Sequence, residues 1–428
     1  MRGSGVDLAL YGGRPVAAEP VHELWPRLTP ELEACVLAQA RDQLSVYDRS
    51  GVVAAFEDAF AGYVGVPRAL ATSSGTAALH SLYYGARIGP GDEVICCDYG
   101  FFATVTPLLP LGATPVFVDC SVDGTMSVAA AEAAITGKTR AIMVTHMWGQ
   151  PAQLDALRAL CDKNGLLLFE DCSHAHGARF AGRVVGSFGD GAAWSLQAHK
   201  TIWAGEGGVL VTSLPDVYER ALLLGHFNLR ALAEIPESSP NFASAFTGTG
   251  LKYRAHPLGL ALALPQIKTV DQLIEDRQKT AAALIEALRS IPGVEVVQNV
   301  KPGSVHGNYA LVALIDADAC GFDRQAFTDA LRAENIYLVS IPRQMNSMSR
   351  YPVFAQAGAA DRDGRTARVS GEVPVSQRIT GTAVKFFVPA TADDLTGNTS
   401  PTVVADAISK VGAGLAGRRR RPHSADLP

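Results

Sequence analysis

Between residues 68 and 213 the chain alternates between two hydrophobic rhythms. Short apolar, β-branched runs recur as RALAT (68–72), EVICC (93–97), TPVFVD (114–119), AIMVT (141–145), LLLFED (166–171), AAWSL (192–196) and GGVLVTS (207–213). Between the first five lie stretches with helical spacing, such as GTAALHSLYYGAR and PAQLDALRALCDKNG; the latter has Pro151 near its start, apolar Leu154, Leu157 and Leu160, and Gly165 as a stop. Such alternation predicts a mainly parallel sheet wrapped by helices. The last strands follow too closely to leave room for crossover helices, so the seven-stranded sheet is expected to be mixed. Two helices precede it. One opens at Thr29-Pro30-Glu31, and the other, over 52–64, lines up Val53, Phe56, Phe60 and Tyr63. Beyond the sheet the pattern predicts a helix at 214–224, irregular polar chain at 225–250 and one long helix at 255–290. From about 292 an α+β pattern follows: VEVVQ, YALVALI, a helix near 323–334, IYLVS and a last helix after Ser400-Pro401.

This predicts an α/β protein in four parts: an N-terminal arm (1–28), a large domain (29–290), a small C-terminal domain (291–416) and a basic, disordered tail (417–428). At 428 residues and 48% hydrophobic, the chain can bury a large core and a second, smaller one. A net charge of -5 argues against a nucleic-acid partner. The basic run Arg418 to Arg421 is read as part of a solvated tail. No stretch reaches the ~20 apolar residues of a membrane span, and the Gly-rich start is too short for a signal peptide. Seven cysteines are scattered without CxxC or Cys/His ligand spacing, which points to reduced thiols, a cytoplasmic location and no metal site.

Four features of the sheet region carry candidate chemistry. TSSGTAAL (72–79) leaves backbone N–H groups at the start of a helix, which suits a phosphate and equally an ordinary capped helix. Phe101, after the second strand, could stack on a flat ring or simply fill core. LLLFEDCSHAHGA brings Glu170 and Asp171 to the end of an apolar strand, where α/β sheets bind ligands. A carboxylate there needs a positive partner, such as a protonated ring nitrogen, or else caps a helix. WSLQAHK ends the next strand on Lys200, a surface lysine or a desolvated amine that attacks carbonyls. Phosphate cradle, stacking ring, acid and amine together match pyridoxal 5′-phosphate (PLP), with Lys200 holding its aldehyde as a Schiff base.

In the order SSGTAAL, GDEV, FVD, EDCSHAHGA, SLQAHK and GEGG, the chain resembles the DegT/DnrJ/StrS aminotransferases, fold-type-I PLP enzymes acting on keto-sugars and cyclitols. The resemblance is densest over residues 45–215. It implies Lys200 as the Schiff-base lysine and Asp171 as the acid on the pyridinium nitrogen. It further implies Ser74, Gly75, Thr76 and Ser195 around the phosphate, and Phe101 on the ring face. His174 stands where many members carry glutamine near the ring hydroxyl. Lys252, in GLKYRAHPLGLALAL, stands where many carry an asparagine that crosses to the partner subunit's phosphate, so a homodimer with shared sites is implied.

The implied reaction moves an amino group from glutamate or glutamine onto a ring ketone of a sugar or cyclitol, through pyridoxamine 5′-phosphate, in amino-sugar or antibiotic biosynthesis. Two other readings stay open: a PLP-dependent lyase, dehydratase or oxidative enzyme, and a non-catalytic binding protein on the same fold. A cysteine desulfurase, suggested by His199-Lys200, would need an activated downstream cysteine, and Cys320 has no activating neighbours in sequence. Specificity is expected in 225–250, around Tyr47-Asp48-Arg49 and in PRQMNSMSRYPVF (342–354), with Arg230, Arg254 and Arg343 as candidate anion holders.

Overall fold

The computed structural model describes residues 7–355 and 367–418. All seven predicted strands of the large sheet form, as β1 (Ala69–Thr72), β2 (Glu93–Cys97), β3 (Thr114–Val118), β4 (Thr139–Thr145), β5 (Leu167–Asp171), β6 (Gly191–Ser195) and β7 (Gly208–Thr212). A C-terminal sheet contains β8 (Val294–Val296), β9 (Leu311–Ile315), β10 (Val339–Ser340) and β12 (Ala383–Phe386) in the order β8-β9-β12-β10. Between them in sequence, the two-residue β11 (Arg368–Val369) adds itself in parallel to β3. The large sheet is therefore eight-stranded, ordered β1-β7-β6-β5-β4-β2-β3-β11. Only β7 runs against its neighbours, so the sheet is mixed and mainly parallel. Sequence pattern did not reveal β11, because two residues are too few to show an alternation.

The main helices are α1 (Pro30–Asp42), α2 (Gly51–Val64), α3 (Gly75–Gly85), α4 (Leu154–Asn164), α5 (Pro215–Gly225), α6 (Pro257–Ile267), α7 (Val270–Arg289), α8 (Arg324–Ala333) and α9 (Thr402–Arg418). Helix α1 starts where its sequence directs: the Thr29 hydroxyl accepts from Leu32 N–H, and Pro30 needs no N–H acceptor. Helix α4 buries Leu154, Leu157, Leu160 and Cys161 on one face and stops at left-handed Gly165. The expected single helix over 255–290 is two. Pro265 supplies no N–H within α6, and the chain closes with tight turns from Lys268 N–H to Pro265 O and Thr269 N–H to Gln266 O. The 225–250 segment is less irregular than expected, with a short helix at Leu229–Glu234.

Apolar side chains cover both faces of the large sheet. One face packs on α2, α4 and α6, the other on α3 and α5. A separate cluster is built from β9, β12, α7, α8 and α9, and it also takes in Leu8, Ala17 and Val21 of the N-terminal arm. The arm thus crosses the C-terminal lobe, pairing Val21 with Ile336 and Glu23 with Leu395. Cys320 is buried in the same cluster. Most of the basic tail lies outside the described residues. Among the described residues no helix is long and apolar enough to cross a membrane.

Candidate active site

A cavity of about 890 Å³ opens at the carboxyl ends of β2, β4, β5 and β6 and is closed from the other side by β10, β12 and the N-terminal arm. Seven residues singled out in sequence surround it together with the lysine: Ser74, Gly75, Thr76, Phe101, Asp171, His174, Ser195 and Lys200 all line its wall. Lys252 does not. It lies in a separate cleft with Tyr47, His226 and Arg254.

Strand alternation divides the two acids of β5. Glu170 points away from the cavity, where its carboxylate accepts from the N–H groups of Gly186 (2.7 Å), Phe188 (2.9 Å) and Gly189 (2.7 Å). His146 Nδ1 accepts from Ala152 N–H, which leaves the proton on Nε2 to donate to Glu170 at 3.0 Å. Glu170, His146 and Cys172 bring metal-ligand atoms within 4.8 Å of one another. These hydrogen bonds already account for the histidine and the carboxylate. Asp171 points into the cavity and is 4% exposed. The Thr104 hydroxyl donates to its Oδ2 at 2.6 Å and Ser173 N–H to its Oδ1 at 3.0 Å.

Helix α3 aims its first turn at the cavity. Ser74 Oγ takes the Ala77 N–H, while the N–H groups of Gly75 and Thr76 have no acceptor among the described residues. Two glycines permit this approach. A Cβ on Gly75 would sit 2.8 Å from Ser195 Cβ, and one on Gly208 would sit 2.3 Å from Ser74 O. The turn is therefore wedged against β6 and β7, with Ser195 beside it.

Lys200 leaves β6 in a tight turn, its N–H bonded to Gln197 O. The residue keeps partial exposure through the cavity mouth, while its amine is enclosed. Burial, with the charge of Lys385 adding to it and Asp171 opposing it, lowers the amine from 10.5 to about 8. The amine lies 4.7 Å from the centre of the Tyr309 ring. Tyr309 in turn stacks on His174 at 4.1 Å and 10°, and the Trp148 ring lies near-parallel to both, 5.5 Å from His174 and 6.4 Å from Tyr309. Burial, then the charges of Lys200 and Lys385, holds His174 neutral, far below its ordinary value. Its Nδ1 is buried and has no partner. The lysine's own peptide is held from outside the sheet: Trp25 Nε1 donates to Lys200 O at 3.2 Å, and Arg277 Nη1 donates to Thr201 Oγ1 at 3.2 Å.

Sequence reasoning missed Thr104, Tyr309, Lys385, Trp25 and Arg277. Of these, only Lys385 left a readable signal, a cation inside the apolar run TAVKFFV. Of the three arginines proposed to hold anions, Arg230 is already committed. Its Nη atoms donate to both Glu57 oxygens (3.0 and 2.7 Å) and its Nε to Glu234 (2.7 Å). Arg254 lies over the Tyr47 ring in the Lys252 cleft. From the 342–354 segment, Gln344 and Met345 reach the cavity wall, whereas Arg343 is absent from it.

The cavity fits PLP on its own chemistry. It offers two free N–H groups at a helix start beside a hydroxyl, a buried carboxylate fixed by donors, an unpartnered imidazole nitrogen and a lysine amine of lowered basicity.

A profile of the DegT/DnrJ/EryC1/StrS aminotransferase family matches residues 33–382. An L-glutamine:2-deoxy-scyllo-inosose aminotransferase of Streptomyces paromomycinus is 33% identical over 337 residues, covering 77% of this chain and 79% of the relative. The spore coat polysaccharide biosynthesis protein SpsC of Bacillus subtilis (strain 168) is 33% identical over 282 residues, covering 65% and 72%. Among solved structures, DesI in the presence of its TDP-sugar product superposes with a TM-score of 0.77 at 27% identity, covering 97% of this chain and 99% of that one.

Proposed function

The chain belongs to the DegT/DnrJ/EryC1/StrS aminotransferase family of PLP-dependent enzymes, and from that premise we propose that it moves the amino group of glutamine or glutamate onto a ring ketone of a cyclitol or sugar. The observation that carries this reading is the convergence of Lys200, Asp171 and the α3 start on one cavity. Bound PLP would supply an aldehyde to carry the amino group and a pyridine ring to draw off negative charge.

The chain's own residues divide the remaining work. Gly75 and Thr76 N–H, with the Ser74 and Ser195 hydroxyls, would hold the phosphate. Asp171 would hold a proton on the ring nitrogen, and the Thr104 hydroxyl and Ser173 N–H fix the carboxylate so that it stays aimed. Phe101 would cover one ring face. His174, neutral and with a free Nδ1, would meet the ring hydroxyl. Lys200 would accept the proton leaving the donor's α-carbon and return it elsewhere. At pH 7.5 an amine near pKa 8 is unprotonated about a quarter of the time, against about one part in a thousand for an ordinary lysine.

The same proposal assigns residues 29–290 to the cofactor-binding part and 291–416 to the smaller lobe. It also makes the active unit a homodimer. Support comes from Lys252, which does not line its own chain's cavity, and from the exposed apolar side chains of Leu251 and Phe246 near it in sequence. A partner would take Lys252 to its phosphate.

The acceptor class follows the inosose aminotransferase relative. The test is incubation of PLP-loaded protein with L-glutamine and 2-deoxy-scyllo-inosose, with mass spectrometry of the aminated product, and borohydride reduction followed by peptide mapping. We expect an aminocyclitol and a reduced adduct on the Lys200 peptide. An adduct mapped to another lysine, or no amine transfer to any ring ketone offered, overturns the proposal.

A further inference from the structure

Strand β12 lies inside the C-terminal sheet, between β9 and β10. Its side chains alternate. Val384 and Phe386 join the C-terminal core with Leu311 and Ala313, whereas Ala383 faces the large-domain core with Val312 and Leu314. Lys385 falls on that second face, opposite Val312 on one neighbouring strand and Ser340 on the other. An apolar residue would continue the core there. A lysine instead carries the cost of removing an ammonium from water.

The structure shows where that ammonium is directed. Lys385 lines the same cavity as Lys200, His174 and Tyr309. Its charge reaches the site, because it helps lower both Lys200 and His174. Burial lowers Lys385 itself, opposed by the Glu23 carboxylate, yet no ion pair joins the two. No described residue accepts a hydrogen bond from the Lys385 ammonium. Asp171 is occupied by Thr104 and Ser173. The inner wall thus holds a half-buried cation, separate from the phosphate cradle at α3, that is ion-paired to no described residue, with the Glu23 carboxylate on the same cavity wall acting on it without contact.

We infer that Lys385 is the substrate-anion receptor of this cavity, its ammonium taking a carboxylate or comparable anionic group on the amino donor or on the acceptor. The inference rests on the amino-transfer reading and extends it to recognition. A charge-assisted contact of this kind is worth roughly ten- to a hundredfold in affinity.

The test uses full-length, PLP-loaded wild type, Lys385→Met and Lys385→Arg. Donor and acceptor half-reactions are followed separately, with L-glutamine, its α-methyl ester and the keto acceptor. Glutarate is titrated calorimetrically into the same preparations, as a binding readout that needs no turnover. If the anion belongs to the donor, Lys385→Met raises half-saturation by L-glutamine about tenfold or more. The limiting rate then stays within about threefold, the ester treats both proteins alike and Lys385→Arg recovers most of the loss. If the anion belongs to the acceptor, the same split appears in the second half-reaction and the glutamine constants stay put. In both cases glutarate affinity falls in Lys385→Met. The inference is overturned if all half-saturations and the glutarate affinity stay within about threefold of wild type. It is also overturned if only the limiting rate and its pH profile move, which would make Lys385 a modulator of Lys200 alone. Should wild type transfer no amine, the amino-transfer reading fails and the glutarate titration still decides the role of Lys385.

Discussion

Replacing Lys200 by Met in the cofactor-free protein should make it more stable at neutral pH. The folded state holds this amine at about 8, against an ordinary 10.5. Each tenfold change in proton affinity is worth about 1.4 kcal/mol, so keeping the amine protonated inside the cavity costs about 3 kcal/mol. Methionine keeps an aliphatic stem of similar length and removes the charge. It also removes the contact with the Tyr309 ring, worth about 0.5–1 kcal/mol, and a counter-charge to Asp171. The net gain at pH 7 is therefore about 1–3 kcal/mol. The sign of its pH dependence follows from proton binding. Below pH 8 both folded and unfolded lysine are protonated and the penalty is complete. Between 8 and 10.5 the unfolded chain binds the additional proton, so wild-type stability rises with pH relative to the variant. Urea unfolding of both cofactor-free proteins at pH 7 and pH 9.5, followed by circular dichroism, measures this. The reasoning is refuted if wild type is as stable as the variant at pH 7, or if the difference does not shrink by pH 9.5.

Three further outcomes follow from the same geometry. Asp171→Asn leaves Thr104 an oxygen to donate to but removes the charge, so single-turnover amine transfer should slow by a hundredfold or more, with circular dichroism unchanged; near-normal transfer would separate Asp171 from the chemistry. Arg230→Met removes two donors from the fully buried Glu57 carboxylate, leaving it only Arg49 Nε at 3.1 Å and the Ala71 N–H, and should cost about 3 kcal/mol in denaturant titrations. The double change Arg230→Met, Glu57→Leu should recover much of that loss, and a single variant within about 1 kcal/mol of wild type would contradict the pairing. Gly75→Ala pushes a methyl to 2.8 Å from Ser195 Cβ and should weaken PLP binding at least about tenfold by fluorescence titration; unchanged affinity would remove α3 from the phosphate site.

The large sheet was legible because each of its seven long strands carries its own local pattern, and the turn chemistry at Thr29 and Gly165 is equally local. The split between α6 and α7 was also written in the chain, at Pro265, but the unbroken apolar periodicity on both sides masked it. The candidate site was half legible. Lys200, Asp171 and the α3 turn lie at strand ends within one repeating pattern, so sequence order alone groups them. Thr104 and Tyr309 are different. Nothing around a threonine in FFATV or a tyrosine in HGNYA marks contact with Asp171 or Lys200, since the sheet order and the docking of the C-terminal lobe create those contacts. The Tyr309 layer also depends on a backbone juncture no propensity would suggest. Trp148 and Asn308 take left-handed conformations (φ 60° and 46°), and Gly307 N–H bonds to Gly149 O across the lobes. Glu170 shows the limit of residue type as a guide: it neighbours Asp171 in sequence, yet one step along a strand sends it to the opposite face.

The indole of Trp25 at the cavity wall has a practical consequence. It touches the lysine peptide through Nε1 and lies 4.8 Å from the Arg277 guanidinium. Such a chromophore is a built-in optical gauge: its emission overlaps the absorption of a vitamin B6 chromophore, so occupancy can be followed by quenching without any label. Subtracting the signal of a Trp25→Phe protein would isolate that channel from the deeper indoles, and a tag or truncation reaching into the first two dozen residues would disturb the gauge before it disturbed the sheet.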